Sequence, residues 1–266
     1  MKVRQSIGKL VNHGLRTIGL EVRSVPRRDD RYYPQVRTCQ IPHLAILYSI
    51  FLGDREYGTF VEVGAYDGIS FSNTWGLAER GWDGLMIEPD PATARECAAN
   101  HRDHPNVRTR QTAIGDSEDT ELTLHVAGAL TTASAPLRAE YETTAWASSS
   151  LTERRIVVPC TTLDAVLHSE GVAPDFDVLV VDVEGFEREV FAGFSIERWR
   201  PRMMIVELAD THPDLHATRT VDHQLGRALV GAGYDVAAKD SINTVLVRSD
   251  VFVAAYAAGP AGCASI

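Results

Sequence analysis

The chain has 266 residues, of which 44% are hydrophobic and 23% charged, a composition typical of folded globular proteins. This length can bury a large core without disulfides or a structural metal, which excludes a small cross-linked scaffold. The formal net charge of −10 argues against a nucleic-acid partner, because phosphate binding needs concentrated positive charge.

No run of about 18 apolar residues occurs, and basic residues interrupt the N-terminal stretch. We therefore expect no membrane span, no secretory signal and a cytoplasmic location. The cysteines show no Cys-x-x-Cys spacing, so we expect free thiols rather than a disulfide framework or a zinc site. They are Cys39, Cys97, Cys160 and Cys263.

Residues 3–18 carry apolar side chains at helical spacing, which predicts an amphipathic helix with a basic outer face. We expect this helix to pack either on its own domain or on a second subunit. In the second case, the N-terminal arm would form a homodimer. Attachment to a membrane surface is the alternative. Residues 22–40 are predicted to be a linker, and a second helix is expected from Pro42 to about Phe51. The chain thus divides into an arm over residues 1–56 and a domain over residues 57–266.

From Thr59 onward, short apolar runs alternate with helical segments. This pattern predicts an α/β fold with a mostly parallel, doubly wound sheet and helices on both faces. The predicted strands cover residues 59–63, 84–87, 107–112, 177–181, 203–208, 234–237 and 244–247. The predicted helices cover residues 70–80, 92–100, 163–169, 186–192 and 222–232. In such sheets, ligands bind at the carboxyl ends of the strands.

One segment departs from this alternation. Residues 120–126 alternate like an antiparallel strand, and the residues that follow are rich in Ala, Thr and Ser. We expect residues 127–155 to be an insertion that acts as a mobile lid or substrate loop, with an ordinary surface insertion as the alternative.

The first predicted strand runs into the turn Glu62-Val-Gly-Ala-Tyr-Asp-Gly68. Glycines at such a turn let backbone amides approach a ligand, although many strand-to-helix turns are simply tight. The next predicted strand ends at Glu88, where an acidic side chain can accept both ribose hydroxyls of an adenine nucleoside. An adenosine cofactor is therefore expected. NAD would need a Gly-x-Gly-x-x-Gly turn, which is missing here, whereas S-adenosylmethionine (SAM) has no phosphate.

Several segments, taken in order, resemble the FkbM family of SAM-dependent methyltransferases. They are residues 60–74, which include the turn, Gly81-Trp82, Ile87-Glu-Pro-Asp-Pro91, Thr162-Leu-Asp164 and Val181-Asp-Val-Glu-Gly-Phe-Glu187. The resemblance covers roughly residues 57–248. It implies a class I Rossmann-like methyltransferase fold and O-methylation of a hydroxyl on a sugar or a glycosylated or polyketide natural product. Tyr66 stands where family members often carry Asn.

The resemblance also implies which residues bind SAM. The turn would hold the methionine end, Glu88 the ribose, and Ala113 with Ile114 the adenine, while Ser72 and Asn73 either hold the methionine carboxylate or cap and pack the next helix. The residues assigned to the cofactor are Glu62, Gly64, Ala65, Asp67, Gly68, Ser72, Asn73, Glu88, Ala113, Ile114 and Asp182.

The candidate catalytic residues are Asp182, Glu207 and His212. The two acids end neighbouring predicted strands, where a cofactor and an acceptor hydroxyl should meet. Methyl transfer to oxygen needs alignment and a base for the hydroxyl proton. His212 is the natural base by its pKa, with a structural loop residue as the alternative.

Oxygen ligands from Asp182, Glu207 and Asn243 would suit Mg²⁺, which lowers the pKa of a bound hydroxyl. In the competing interpretation, Asp182 and Glu207 hydrogen-bond the acceptor directly and Glu184 caps the following helix. Two other functions stay open: a nicotinamide-dependent oxidoreductase on a Rossmann-like fold, and a non-catalytic binding module.

Overall fold

The computed structural model describes Tyr33, residues 39–41 and residues 43–257. The predicted helix at residues 3–18 and most of the predicted linker lie outside the described residues. The helix expected from Pro42 is α1 (Leu44–Phe51), and it buries Leu44, Tyr48 and Phe51 in the same apolar core as the strands that follow. The boundary between arm and domain at residue 56 stays a prediction.

The strands of the described residues belong to two sheets. They are β1 (Thr59–Val63), β2 (Asp83–Ile87), β3 (Val107–Arg110), β4 (Ala113–Gly115), β5 (Thr120–His125), β6 (Arg155–Thr162), β7 (Val178–Val181), β8 (Met203–Glu207), β9 (Tyr234–Lys239) and β10 (Asn243–Arg248).

The central sheet has seven strands in the order β3-β2-β1-β7-β8-β10-β9. β1 is parallel to β2 and β7, whereas β10 is antiparallel to β8 and β9. The chain runs outward from β1 to β3 and later returns to the other side of β1 as β7. This reversal creates a crevice at the carboxyl ends of β1 and β7, the usual ligand site of open α/β sheets. The predicted mostly parallel sheet is confirmed.

Helices cover both faces of this sheet. After α1 come α2 (Trp75–Glu79), α3 (Pro91–Asn100), α4 (Ala135–Thr143), α5 (Leu163–Ser169), α6 (Glu187–Ala192), α7 (Ile196–Trp199), α8 (Arg219–Gly231) and α9 (Ser249–Ala257). Buried side chains of α5 to α8 pack on one face, and those of α1, α2, α3 and α9 pack on the other. Because both faces are covered, β7 consists only of buried Val and Leu residues.

The second sheet has the order β4-β6-β5, with β6 parallel to β4 and antiparallel to β5. The strand predicted over residues 107–112 is therefore wrong at its end, because β3 stops at Arg110 and β4 joins the other sheet. Neither β4 nor β6 was predicted. β4 has three residues, and β6 is half exposed and contains Pro159, so neither shows the apolar run of a buried strand.

The helix predicted over residues 70–80 begins only at Trp75. Phe71 has a φ of +63°, a left-handed backbone that cannot continue a helix. The Ser72 hydroxyl oxygen accepts hydrogen bonds from the amides of Thr74 and Trp75. Ser72 therefore shapes the turn before the helix, which is a common use of serine.

The insertion at residues 127–155 folds over the carboxyl ends of the central strands. It contains α4 and a 3-10 turn at Ser148–Ser150. Leu137 and Tyr141 of α4 form a small core with Ala209 and Leu215 of the loop after β8. The Glu140 carboxylate accepts hydrogen bonds from the backbone of that loop, at 2.8 Å from the amide of residue 216. This segment therefore forms one wall of the crevice.

Cys97 and Cys160 are free thiols, and Cys263 lies outside the described residues, so the absence of a disulfide framework stays a prediction. None of the described helices combines the length and the apolar character that crossing a lipid bilayer requires.

Candidate active site

The glycine turn after β1 connects three strand ends. Gly64 has a φ of +85°, and a side chain on it would begin 1.7 Å from the carbonyl oxygen of Asp182 after β7. On the other side, the amides of Gly64 and Ala65 donate to the carbonyl of Ile87, at the end of β2, at 2.9 and 3.1 Å. Only glycine permits this close approach, so the turn fixes the relative positions of β1, β2 and β7.

Glu88 follows β2 and is tied to this turn. One carboxylate oxygen accepts from the amide of Tyr66 at 3.0 Å, and the other accepts from the amide of Asp90 at 2.9 Å. The side chain is 7% exposed, and burial raises its pKa to about 7. The structure therefore brings together the two motifs from which the sequence predicts an adenosine cofactor.

A cleft opens beside the turn and Glu88, with about 610 Å³ of empty space, part of it open to solvent. Its walls come from the ends of the central strands, the second sheet and the insertion. Of the residues predicted to bind the cofactor, the following line the cleft: Gly64, Glu88, Ala113, Ile114 and Asp182.

The other predicted cofactor residues are not among the residues that line the cleft. They are Glu62, Ala65, Asp67, Gly68, Ser72 and Asn73. The Glu62 carboxylate, whose pKa burial raises to about 7, accepts from the Thr74 hydroxyl at 2.5 Å. Asp67 accepts from the amides of Ile69 and Ser70.

Ser72 and Asn73 do not line the cleft, which favours the second of the two roles that we expected for them, capping and packing. Asn73 is 5% exposed; its side-chain oxygen accepts from the Cys39 thiol and its carbonyl from the Tyr48 hydroxyl. Both residues therefore pack and shape the turn instead of reaching into the cleft.

Three carboxylates meet at the end of the cleft. One oxygen each of Asp182, Glu184 and Glu207 lies within 4.8 Å of the others. Burial raises the pKa of all three side chains, and the neighbouring carboxylates add to the increase for Glu184 and Glu207. The interaction between Asp182 and Glu207 offsets part of the increase in the pKa of Asp182 and adds to the increase in the pKa of Glu207. We call these three residues the acid cluster.

Glu184 does not cap the helix that follows it, so that expectation was wrong. Its φ is +54°, and its carboxylate accepts a short hydrogen bond from the Tyr141 hydroxyl. Glu187, the first residue of the helix, instead binds backbone amides of the preceding turn, accepting from Val183 at 3.0 Å and from Gly185 at 3.3 Å.

Tyr141 is the site residue that the sequence analysis missed. It lies on α4 of the insertion, and burial raises its pKa, so the phenol stays protonated and donates to Glu184. A signal was available: Ser134 followed by Pro136 predicts a helix start, and Leu137 and Tyr141 lie four residues apart on one helix face.

A smaller pocket lies next to the acid cluster. Glu207 and Glu187 face it together with apolar side chains of α4 and of the loop after β8. Its lining residues are Leu137, Tyr141, Gly185, Glu187, Glu207, Ala209, Leu215, Thr218 and Asp222. The acid cluster thus contributes to both pockets, because Asp182 and Glu184 line the large cleft and Glu207 lines the smaller pocket.

His212 is placed unfavourably for a base. Its Nδ1 accepts hydrogen bonds from the amides of Asp214 and Leu215, both at 3.1 Å. A neutral ring then carries its hydrogen on Nε2 and has no free lone pair. The ring also packs on Trp146, with ring centres 6.0 Å apart. The geometry therefore assigns His212 to the loop structure and corrects the expected role as base.

Asn243 lies opposite Glu207 in the register of β8 and β10. Its side chain is 3% exposed, and its amide nitrogen donates to Gln40 at 3.3 Å. Among the described residues, its side-chain oxygen has no hydrogen-bond partner. Asn243 therefore offers a buried oxygen near the acid cluster.

This strand order, with one antiparallel strand and a cleft at the reversal beside β1, defines the class I Rossmann-like methyltransferase fold. The model of the family described as Methyltransferase FkbM domain matches residues 62–229, which is more than half of the chain. The chain belongs to this family, so the resemblance inferred from the sequence is confirmed.

Solved structures with a similar fold share little sequence with this chain. The O-methyltransferase from Bacillus cereus, in complex with S-adenosylhomocysteine (SAH), is 12% identical with a TM-score of 0.44; the match covers 91% of this chain and 90% of that chain. The O-methyltransferase TomG from Streptomyces achromogenes, in complex with SAM, is 15% identical with a TM-score of 0.42; the match covers 90% of this chain and 88% of that chain. At these levels the likeness carries neither cofactor nor substrate over to this chain. A comparison with curated proteins found no significant match.

Proposed function

We propose that this chain is a SAM-dependent methyltransferase that methylates a hydroxyl of a small-molecule or glycan acceptor, namely a sugar or a glycosylated or polyketide natural product. The observation that carries the proposal is the acid cluster, which contributes to both pockets. Family membership supports methyl transfer, and the glycine turn with Glu88 supports an adenosine cofactor. A cytoplasmic location and a homodimer through the N-terminal arm stay predictions.

The residues of the larger cleft fit SAM. The Glu88 carboxylate lies at the carboxyl end of β2, where a ribose acceptor is needed. Ala113, Ile114 and Leu122 give the cleft an apolar strip that suits a flat base. Asp182 and Glu184 place acidic oxygens at the other end, where a cationic sulfur would be stabilised.

Bound SAM supplies an electrophilic methyl group. In the proposed reaction, Asp182 and Glu207 orient the acceptor hydroxyl and accept its proton while the new C–O bond forms and the S–CH₃ bond breaks. Their raised pKa values make these carboxylates stronger bases than exposed ones. Tyr141 keeps Glu184 in place through its hydrogen bond, and the apolar wall around Leu137 and Leu215 limits water at the site.

We further propose that the acid cluster binds Mg²⁺. Carboxylate and amide oxygens are the ligands this ion prefers, and Asp182, Glu184, Glu207 and the unpartnered oxygen of Asn243 supply them. A bound cation would lower the pKa of the acceptor hydroxyl. The proposal rests on this donor chemistry alone. It predicts that chelation abolishes turnover and that added Mg²⁺ restores it in the wild type but not in Glu184→Gln; unchanged turnover after chelation would leave Asp182 and Glu207 to bind the acceptor directly.

The first experiment is calorimetric titration of metal-stripped protein with SAH, repeated with Mg²⁺ and with NAD. We expect SAH to bind with a Kd of about 1–100 μM. Binding of NAD instead of SAH would favour an oxidoreductase, and binding of neither would favour a non-catalytic module. Transfer of a labelled methyl group from SAM to a panel of sugar and polyketide acceptors then tests the reaction, with Asp182→Asn as the inactive control.

A further inference from the structure

The carboxyl end of α3 contacts the glycine turn from behind. The side-chain amide of Asn100 donates to the carbonyl oxygen of Asp67 at 2.9 Å. The Nε2 atom of the next residue, His101, lies 3.1 Å from the carbonyl oxygen of Gly68. Two consecutive side chains thus bind two consecutive carbonyls of the turn. Neither side chain lines the cleft.

The hydrogen bonds determine which ring nitrogen of His101 carries the hydrogen. The carbonyl of Gly68 can only accept, so Nε2 must donate. Burial, followed by the effect of His104, lowers the pKa of His101 to about 4, so the ring is neutral near pH 7. Its Nδ1 then holds a lone pair, and the Nδ1 of His104, at 3.0 Å, donates to it.

Packing holds the His101 ring in this orientation. The ring is 2% exposed and packs on Trp75, with ring centres 5.1 Å apart. His104 in turn packs on Trp75 and lies 3.4 Å from the Glu79 carboxylate. The donor to Gly68 is therefore held by contacts with α2 as well as by its position after α3.

No spare space separates this ring from the turn. Gly68 has a φ of +76°, and a side chain on it would begin 2.8 Å from the His101 ring and 2.9 Å from the Cys97 sulfur. A shift of the ring therefore shifts the turn, because interiors packed this closely transmit displacements.

The other end of α3 is tied to the ribose side of the cleft. Asp90 caps the helix, and its amide donates to Glu88, which also accepts from Tyr66 of the turn. α3 therefore links Glu88 at its start with the glycine turn at its end. Both parts of the proposed SAM site are attached to one helix.

We propose that Asn100 and His101 are positioning residues that set cofactor affinity by holding the carbonyls of Asp67 and Gly68, without touching the cofactor. This inference rests on the proposed function, because it takes the cleft to be the SAM site. Substitutions of Asn100 and His101 should affect cofactor binding but not acceptor binding, since no residue of α3 lines the smaller pocket.

The test compares two replacements of His101 that each keep one half of the imidazole. His101→Gln keeps an N–H near the Nε2 position, whereas His101→Asn places its amide near Nδ1 and leaves Gly68 without its donor. We expect the Kd for SAH to rise about tenfold in His101→Asn and to stay within about threefold in His101→Gln. His168→Asn, the same change at an exposed histidine on α5, is the matched control.

In turnover assays, the KM for SAM should follow the Kd, while kcat and the KM for the acceptor stay within about threefold. Asn100→Ala, which leaves His101 in place, should weaken SAH binding in the same direction and serves if His101→Asn does not fold. Equal effects of the Asn and Gln variants on the Kd would overturn the proposal.

Amide hydrogen exchange of residues 64–70 gives a readout that needs no cofactor. Exchange should accelerate about tenfold in His101→Asn but not in His101→Gln. If wild-type protein does not bind SAH, the proposed function fails, and the exchange rates alone decide whether His101 holds the turn. Identical exchange in the two variants would refute that role.

Discussion

Replacing Glu88 by Gln tests whether this side chain binds a ribose through its charge. The change keeps the size of the side chain but removes one acceptor oxygen. In the wild type both oxygens are in use, because they accept from the amides of Tyr66 and Asp90. In the Gln variant, the side-chain NH₂ group must therefore face one of these backbone N–H groups. The cleft also loses the negative charge of the carboxylate.

The magnitude follows from these contacts. A hydrogen bond to a charged group contributes about 1.5–3 kcal/mol, which corresponds to a change in Kd of about 10-fold to 150-fold. We expect Glu88→Gln to weaken SAH binding within that range. The conflict with the backbone N–H should also lower the free energy of unfolding by about 1–3 kcal/mol.

The pH dependence provides the sharper criterion. Burial raises the pKa of Glu88 to about 7, so the carboxylate gains its charge as the pH passes through that value. Ribose hydroxyls donate best to the charged form, so SAH should bind wild-type protein more tightly at pH 8 than at pH 6. Calorimetry across this range should show a flatter profile for Glu88→Gln, with Glu197→Gln on the exposed side of α7 as control. A profile identical to that of the wild type would exclude Glu88 from the cofactor site.

Three further predictions concern the turn, the acid cluster and stability. Gly64→Ala should lower the free energy of unfolding by at least about 3 kcal/mol, because the new methyl group overlaps the backbone carbonyl of Asp182. Gly81→Ala is the control: Gly81 has a φ of +80° but open space around it, so this change should cost only about 1 kcal/mol. Equal melting temperatures of the two variants would contradict this prediction. Tyr141→Phe removes a hydrogen bond that lowers the pKa of Glu184. We therefore expect kcat to fall about tenfold and the acidic limb of the pH–rate profile to move to higher pH. An unchanged profile would show that Tyr141 plays no part in the reaction. Burial raises the pKa of Glu62 from 4.5 to about 7, so the folded chain holds a proton that the unfolded chain releases at lower pH. Stability should therefore fall by about 3 kcal/mol as the pH rises from about 4.5 through 7. Glu62→Gln should reduce the slope of melting temperature against pH, and an unchanged slope would contradict this.

The central strands were predictable because the buried strands contain short, continuous runs of apolar residues in the sequence. β7 is an unbroken run of Val and Leu, and both of its faces are covered. Glu88 and Asp182 could be placed at the edge of the sheet because each directly follows such a run. The carboxyl ends of parallel strands lie at one edge, so predicting the strands also predicted that these acids face one crevice.

The parts that escaped prediction depend on contacts between distant segments. Ser72 is compatible with a helix, a cap or a turn, and only the left-handed Phe71 before it excludes the helix. The hydrogen bond from Tyr141 to Glu184 joins residues 43 positions apart through the insertion. The two amides that occupy His212 Nδ1 belong to its own loop, whose conformation no periodic pattern describes.

Buried acids of like charge are unstable together unless they hold protons or face a cation. In the acid cluster, burial raises the pKa of all three side chains, so protonation reduces the charge that the cluster carries. The larger cleft reaches Asp182 and Glu184, and the smaller pocket reaches Glu207. Under the proposed function, a cation that enters from either side would favour the deprotonated form of Asp182, which would then accept the proton of an incoming hydroxyl. In this proposal, cofactor binding would prepare the base for the acceptor, because Asp182 and Glu184 line the larger cleft and Glu207 lines the smaller pocket.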